Sequence, residues 1–559
     1  MKTPVFFAAL ILCEAALTNE SFAMPEPSNA PNILFIMSDD HTARSIGAYQ
    51  YDLAEINPTP NLDRLANEGA LFSHVYCDNS ICCPSRASIL TGQHSQSHGV
   101  LTLDSKMPHE NQRLPNTLGE AGYDTAIIGK WHLKDEPSGY QYYKVLAGHG
   151  GQGEYFNPTF YERDKGTYGE ELQQSTGHST DVITDEALAW FERRDTSKPF
   201  FLSLHYKAPH DMFENAPRYD SYLEDIDLPY APGLFDPGNH GSVATRGVDD
   251  ELRPYIGTSV GRRHQFRAYA DIWSDPEAND DEAKKQAYQT YLKKYLRCVK
   301  GIDDNVGRVY DYLEANDLLD NTIIVYTSDQ GMWLGEHDYQ DKRWMYEESM
   351  RMPFIMRYPP AIEAGSSVNT LINNTDFAPT LFDFAGIETP EVMHGRSFKP
   401  VLLTGKAPED WRTATYHRYW YQLVHHFNPA HFGLRTQRYK LIFFYGLDHL
   451  NPEGRIQTPP GWEFYDLKND PDEMNNLYGD PEYAQIIAEL KDQLKALREE
   501  FNETDKNYPH IQEIIDAHWE TTEASQAEAA RISKQARIDF DAALAAETMN
   551  GLKAGAKEL

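Results

Sequence analysis

The sequence predicts an α/β fold: a large, mostly parallel sheet flanked by helices, followed by a smaller antiparallel α+β unit. Three observations carry this. Apolar runs of strand length end abruptly in acids, Lys or His, as buried parallel strands do where they run into loops. Helical stretches separate these runs, several of them closed by a Gly turn. After about Gly405 the texture changes to short, aromatic-rich segments of strand character.

In chain order, "PNILFIMSDD" (31–40) is an apolar strand that stops at two acids. "NLDRLANEGALF" and "LPNTLGEAGYDTAIIGK" each read as helix, Gly turn and strand, and "DVITDEALAWFERRDTSKPFFLSLHY" repeats helix then strand. Residues 211–270 are rich in Gly, Pro and Asp and read as long loops over the sheet edge. "YLKKYLRCVKGIDDNVGRVYDYLEANDLLDNTIIVYTSDQG" is a long helix, a stop, and a strand ending in an acid. Further on, "TYHRYWYQLV", "FGLRTQRYKLIFFYG" and "WEFYDL" read as short antiparallel strands, with a helix from about Pro481 to Phe501. "ASQAEAARISKQARIDFDAALAAE" closes the chain as an Ala-rich amphipathic helix.

The bulk properties bound what such a fold can do. With 559 residues, 40% of them hydrophobic, the chain can fill a large core and a satellite. Lys and Arg total 51 against 85 Asp and Glu, a net charge of −34, which argues against a nucleic-acid partner. The first residues, "MKTPVFFAALILCEAALTNESFA", carry one Lys, an apolar stretch from Pro4 to Leu12 and a small-residue end at Ala23. That is the pattern of a cleaved leader (1–23), and it implies a secreted or periplasmic protein. Ile11-Leu12-Cys13 is a poor lipoprotein box, and no later segment reaches the ~18 apolar residues of a membrane span. The four cysteines left after cleavage are too few to define the fold by disulfides.

The chemistry gathers at strand ends, where ligands bind in parallel sheets. Asp39 and Asp40 follow one strand, and Asp329 and Gln330 another. Taken alone they read as a helix cap and a turn. Brought together, three carboxylates and an amide oxygen make a hard-oxygen site for Ca²⁺ or Mg²⁺. "IIGKWHLK" places Lys130 and His132 on alternate positions after a third strand, and "HYKAPHD" places Lys207 and His210 after a fourth. "GEHDYQDKRWMYEES" adds His337, Lys342 and Arg343. Singly these are solvated lysines and core histidines. Collected at a metal-bearing edge they would bind a tetrahedral oxyanion, a small cationic pocket inside an acidic shell.

"NSICCPSRASILTG" (79–92) holds two adjacent cysteines. A disulfide between sequence neighbours is strained, and a zinc site wants wider spacing and further ligands. Two readings stay open: small buried side chains opening a helix, or chemistry. Ser85 and Ser88 lack the glycines of a nucleophile elbow.

Cys82-Cys83-Pro84-Ser85-Arg86 followed by "ASILTG" resembles the C-x-P-S-R…L-T-G signature of the formylglycine-dependent (type I) sulfatases. The signature wants Pro two residues and Arg four residues after its cysteine. Cys82 meets both requirements and Cys83 neither. The resemblance runs from Asn32 to about Tyr478 through "TPNLDRLANEG", "GYDTAIIGKWHL", "KAPHD", "DDNVGRV", "SDQG", "KRWMYEESMRMPF", "TDFAPTLFDFAG" and "YDLKNDPDEMNNL". It implies an alkaline-phosphatase-like fold with a small C-terminal sheet; together with the change of texture after Gly405, the chain is expected to hold a sulfatase catalytic domain over 31–405, an α+β subdomain over 406–510 and a helical extension over 511–559.

The resemblance further implies that a separate maturation enzyme oxidises Cys82 to formylglycine (3-oxoalanine). By motif, Asp39, Asp40, Asp329 and Gln330 then hold calcium together with residue 82; Gln330 stands where Asn or His is common. Arg86 and Lys130 would hold the aldehyde hydrate and its sulfate ester, and His132 would be the base for sulfate elimination. His210 and Lys342 would bind sulfate and help protonate the leaving alcohol. The segments around Asp39, Asn57 and Asp329 look like bacterial glycan sulfatases related to N-acetylglucosamine-6-sulfatase and to algal-polysaccharide sulfatases. The expected substrate is a sulfated carbohydrate, with ulvan or carrageenan favoured and a glycosaminoglycan possible. His178, Lys207, His264, Arg343 and His431 are candidate sugar contacts. The rivals are a phosphonate or phosphate monoester hydrolase of the same superfamily, and a silent glycan-binding protein with Cys82 unmodified.

Overall fold

A computed structural model of the chain describes residues 30–236, 238–261, 274, 275 and 277–555, with side chains as far as 547. Residues 1–23, read from the sequence as a leader, and His264 therefore lie outside the described residues. Four parallel strands form the centre: β1 (Asn32–Ser38), β2 (Asp124–Gly129), β3 (Phe200–His205) and β4 (Thr322–Ser328). They lie side by side in the order β4, β1, β3, β2. Six further strands extend the sheet. Tyr142–Leu146 runs parallel beside β2, followed by two antiparallel strands. Beside β4, Phe354–Arg357 runs antiparallel, then come Ala70–Phe72 and Ser366–Val368 at the far edge.

The apolar run of β1 comes from its place at the centre. Ile33, Phe35 and Met37 enter the core layer on one face, and Leu34 and Ile36 the layer on the other. A strand covered on both faces has no polar side to show. Three helices carry or brace the candidate residues: α1 (Cys82–Thr91), α2 (Ser179–Arg193) and α3 (Asp280–Ala315). Asn279 caps α3 by accepting from the Glu282 N–H, and three acids occupy its first turn, where the helix dipole favours negative charge. Tyr288, Tyr291, Leu292, Tyr295, Val299 and Ile302 form its buried stripe against the Leu34–Ile36 layer.

The C-terminal segments form a four-stranded antiparallel sheet: Ala414–Tyr419, His431–Thr436, Tyr439–Phe444 and Gly461–Asp466. One face builds its own core with the helix Ala484–Glu500, through Phe432, Leu434, Phe443, Trp462 and Leu494. The other face sends Ile442, Phe444 and Tyr465 into the main core. The fold is therefore the large mixed, mostly parallel sheet with a small antiparallel unit that the sequence predicts.

Two stretches differ in detail from the sequence reading. The described part of 211–270 is not wholly loop: it holds a helical turn, Val243–Arg246, and a strand, Thr258–Ser259, that pairs with Tyr339–Asp341 beside Lys342. A helix at Pro509–His518 precedes the expected last one, α4 (Glu523–Gly555). α4 straps the 243–256 stretch. Ser533 Oγ donates to Glu251 Oε1 at 2.6 Å, and the Phe540 ring stacks on Tyr255 at 5.0 Å between centroids. Among the described residues, no helix is long and apolar enough to cross a membrane.

Candidate active site

The carboxyl ends of β1, β2, β3 and β4 meet at one edge of the sheet: Asp39, Lys130 and Asp329 directly follow β1, β2 and β4, while Tyr206 after β3 turns into the core against Thr184 and the loop beyond it brings Lys207 and His210. Gly129 ends β2 at φ +106°, and a Cβ there would lie 1.9 Å from the His205 carbonyl oxygen. Only glycine lets the two strands close up at this point. The next residue, Lys130, donates its N–H to that same carbonyl at 2.8 Å and sends its side chain to the Asp39 carboxylate. From β4, the Asp329 carboxylate accepts the Asp40 N–H at 3.2 Å and Arg86 Nε at 2.9 Å. α3 fixes the loop from behind, the Tyr295 hydroxyl donating to the Asp40 carbonyl at 2.7 Å.

Cys82 is the first residue of α1 and is buried in the middle of this group. Its Sγ lies 3.5 Å from Asp39 Oδ1, 3.9 Å from Lys130 Nζ and 3.8 Å from Gln330 Nε2. Burial pushes its thiol well above the ordinary range, with the Lys342 charge pulling the other way, so an unmodified Cys82 is a neutral thiol and a weak nucleophile. Cys83 points elsewhere: its Sγ donates to the His132 carbonyl at 2.8 Å, and the side chain belongs to the main core. The four cysteines of the described chain are all free. Ser85 and Ser88 are taken up as supports, Ser85 Oγ bonding the Asp329 carbonyl and Ser88 Oγ the Asp78 carboxylate at 2.9 Å.

The cations surround this cluster. Lys342 Nζ lies 2.5 Å from Asp40 Oδ2; burial works against its charge, but Asp40, Cys82 and Asp341 outweigh that and raise it above the ordinary lysine range. Desolvation alone would raise the Asp329 carboxyl, yet the Arg86, Lys130 and Lys342 charges hold it below the ordinary carboxylate range. Burial, reinforced by the Lys130 and Arg86 charges, keeps His132 neutral, and its Nδ1 has no partner among the described residues. His210 Nε2 lies 3.6 Å from Asp40 Oδ2, and its Nδ1 lies 2.9 Å from the Asp211 carbonyl. Nine of the predicted residues thus converge: Asp39, Asp40, Cys82, Arg86, Lys130, His132, His210, Asp329 and Lys342. Gln330 joins them through its amide, which donates to Asp40 Oδ1.

The donor set fits a hard divalent cation. Atoms of Asp39, Asp40, Cys82 and His210 lie within 4.8 Å of one another, all buried. Gln330 Oε1 is buried with no partner among the described residues while its N–H faces Asp40. With a cation between the two side chains, the carbonyl is the atom that would face inward.

The candidate sugar contacts divide. Lys207 sits over the Tyr155 ring at 5.0 Å and lines a cleft of about 370 Å³ with Gln152, His210, Asp211 and Glu214. Arg343 pairs with Asp341 beside Lys342, which leaves its Nε without a partner among the described residues. His178 caps α2: its Nδ1 accepts the Thr180 N–H, and its Nε2 lies 2.9 Å from the Glu214 carbonyl. His431 lies inside the small sheet with Nδ1 2.8 Å from the Pro429 carbonyl, and burial lowers it to about 4. His337 turns away from the cluster toward the Asp472 carbonyl at 2.8 Å. The sequence reading missed Gln152, whose Oε1 accepts from Lys130 Nζ at 2.5 Å. The one signal for it was the run of glycines in "GHGGQGEY".

Comparison with known proteins agrees with this geometry. Residues 31–387 match the Sulfatase family, and residues 335–500 match the C-terminal region of N-sulphoglucosamine sulphohydrolase. The chain is 40% identical over 533 residues to an N-acetylglucosamine-6-O-sulfatase of Bacteroides thetaiotaomicron, covering 89% of this chain and 92% of that one. It is 25% identical to an ulvan-active sulfatase of Formosa agariphila, with 87% and 86% of the two chains covered. Among solved structures, it superposes with a TM-score of 0.77 and 37% identity on one in complex with its substrate D-glucosamine-2-N,6-O-disulfate, covering 85% of this chain and 99% of that one. The chain belongs to the sulfatase family, with its alkaline-phosphatase-like fold, and is a sulfuric ester hydrolase.

Proposed function

We propose that this protein is an exported glycan sulfatase that removes 6-O-sulfate from glucosamine-type units. Cys82 is converted to formylglycine, and calcium is held by Asp39, Asp40, Asp329 and Gln330 with residue 82. The carrying observation is the place of Cys82, buried at the start of α1 between the Asp39 carboxylate and Lys130 while Cys83 faces the core. The aldehyde's hydrate supplies two hydroxyls, one to attack sulfur and one to expel sulfate afterwards, which a serine or cysteine cannot do. Calcium bound there supplies positive charge against which sulfate oxygens dock and a nearby hydroxyl becomes more acidic.

The remaining chemistry belongs to the side chains. Arg86 and Lys130 orient residue 82 and its ester. His132, kept neutral by burial and by its cationic neighbours, is able to take a proton as sulfate leaves. Lys342 stays charged and binds a sulfate oxygen; His210, beside the same Asp40 oxygen, helps protonate the departing alcohol.

The glucosamine preference draws its support from the 40%-identical relative and from the disulfated glucosamine in the matching structure. The algal reading draws on the relative at 25% identity and ranks second. Export draws on the leader-like composition of residues 1–23, and a separate maturation enzyme is the partner the chemistry requires. The test is sulfate release by aldehyde-bearing protein from N-acetylglucosamine 6-sulfate, from the 2-N,6-O-disulfated sugar, and from ulvan and carrageenan oligosaccharides, with 4-nitrophenyl phosphate as control. Release from the glucosamine esters is expected. Faster phosphate release would move the protein to the phosphohydrolases, and binding without turnover would make it a glycan-binding protein.

A further inference from the structure

We propose that Gln152 is a specificity-determining residue of this site, fixing Lys130 with one end of its carboxamide and reading the sulfate ester with the other. The inference rests on the sulfatase reading of the site given above.

Lys130 Nζ is fully buried, touches the Asp39 carboxylate and donates to Gln152 Oε1 at 2.5 Å. An amide is planar, so engaging its oxygen sets the direction of its two N–H donors. Gln152 Nε2 has no partner among the described residues, and Gln152 lines the 370 Å³ cleft together with Lys207 and His210. The cleft thus presents an ammonium, an imidazole and a neutral amide beside the buried cation cluster. The cleft is also lined by Glu154, Asp211 and Glu214, so the anionic end of an ester is favoured beside Lys207, His210 and the neutral Gln152 amide and away from these carboxylates.

The backbone explains how Gln152 reaches that position. Gly151 takes φ +97°, and a Cβ there would lie 3.4 Å from the His132 Cα. The loop therefore runs beside the residue proposed as base, and its next side chain, Gln152, reaches Lys130 Nζ. Gln152 is only half-buried, so its amide donor is open to whatever enters the cleft.

The test uses protein whose aldehyde content has been measured, as wild type, Gln152→Leu and Gln152→Glu. The readings are KM and kcat on 4-nitrophenyl sulfate and N-acetylglucosamine 6-sulfate, and the binding of inorganic sulfate by calorimetry, which needs no turnover. Gln152→Leu is expected to raise KM and the sulfate dissociation constant about tenfold or more, with a smaller change in kcat because Asp39 still holds Lys130. Gln152→Glu keeps an acceptor for Lys130 but points a carboxylate at the sulfate, so both constants are expected to rise further. If Gln152 only positions Lys130, Gln152→Glu stays near wild type and Gln152→Leu loses kcat instead; that result overturns the inference, as do unchanged constants in both variants. Should Gln152→Leu fail to fold, the isosteric Gln152→Glu decides alone. Wild-type protein that carries the aldehyde and releases no sulfate refutes the reading of the site itself, before any variant is compared.

Discussion

Glu503 sits just beyond the helix Ala484–Glu500 and is almost wholly buried (1% exposed) where the C-terminal unit docks on the main domain. Its Oε1 accepts the Gln96 N–H at 2.7 Å, while Oε2 has no partner among the described residues. Gln96 lies in the short helix after α1, so this contact ties the small unit to the segment that carries Cys82. Burial raises the Glu503 carboxyl from its ordinary 4.5 to about 7, the Arg418 charge opposing only in part. The folded protein therefore holds a proton here that the unfolded chain has released. The resulting stability is complete below pH 4.5 and is lost as pH rises through 7. At about 1.4 kcal/mol per tenfold of proton affinity, the loss is about 3 kcal/mol. Glu503→Gln keeps the acceptor for Gln96 and removes the titration. Urea unfolding of both proteins between pH 4.5 and 8 is the assay. The variant should gain about 3 kcal/mol on wild type across that range. Taking the difference cancels Glu473, which burial also raises to about 7. Parallel curves would refute the reasoning, because they would mean that Glu503 is ionised in the folded state throughout.

Two further outcomes are expected of the site. Arg86→Leu strands the buried Asp329 and Asp39 carboxylates and is expected to cost about 3–5 kcal/mol in denaturant unfolding, besides activity; a cost under about 1 kcal/mol would show that those charges are satisfied without it. Calcium added to chelator-treated protein should raise its stability by about 2.7 kcal/mol at a hundredfold excess over the dissociation constant, and Asp40→Asn should blunt that gain. Equal melting with and without calcium would remove the metal from the account.

Much of the site was legible because its residues stand at fixed offsets from strands that announce themselves. β1 is apolar from Ile33 to Met37 since both of its faces are covered, so its end, and Asp39 and Asp40 with it, can be read directly from the chain. The choice of Cys82 over Cys83 came from the offsets to Pro84 and Arg86, and the structure gives the physical counterpart: one thiol faces the carboxylates, the other the His132 carbonyl. What stayed hidden depends on distant partners. His178 and His431 carry the right chemistry for a sugar, but the Glu214 and Pro429 carbonyls, which no local pattern reveals, face their ring nitrogens. The pairing of Thr258–Ser259 with Tyr339–Asp341 spans about eighty residues and rests on two-residue contacts too short to leave a periodicity. Gln152 lies in a glycine-rich loop without any period, and only its approach to Lys130 distinguishes it.

The most direct measurement is the mass of the proteolytic peptide containing residues 82 and 83, from protein made in its natural host, alongside sulfate release by the same preparation. The account predicts formylglycine at 82, an unmodified cysteine at 83, and sulfate release in proportion to the aldehyde fraction. Sulfate release from a preparation with a free thiol at both positions would contradict it, since the nucleophile would then have to lie elsewhere in the chain.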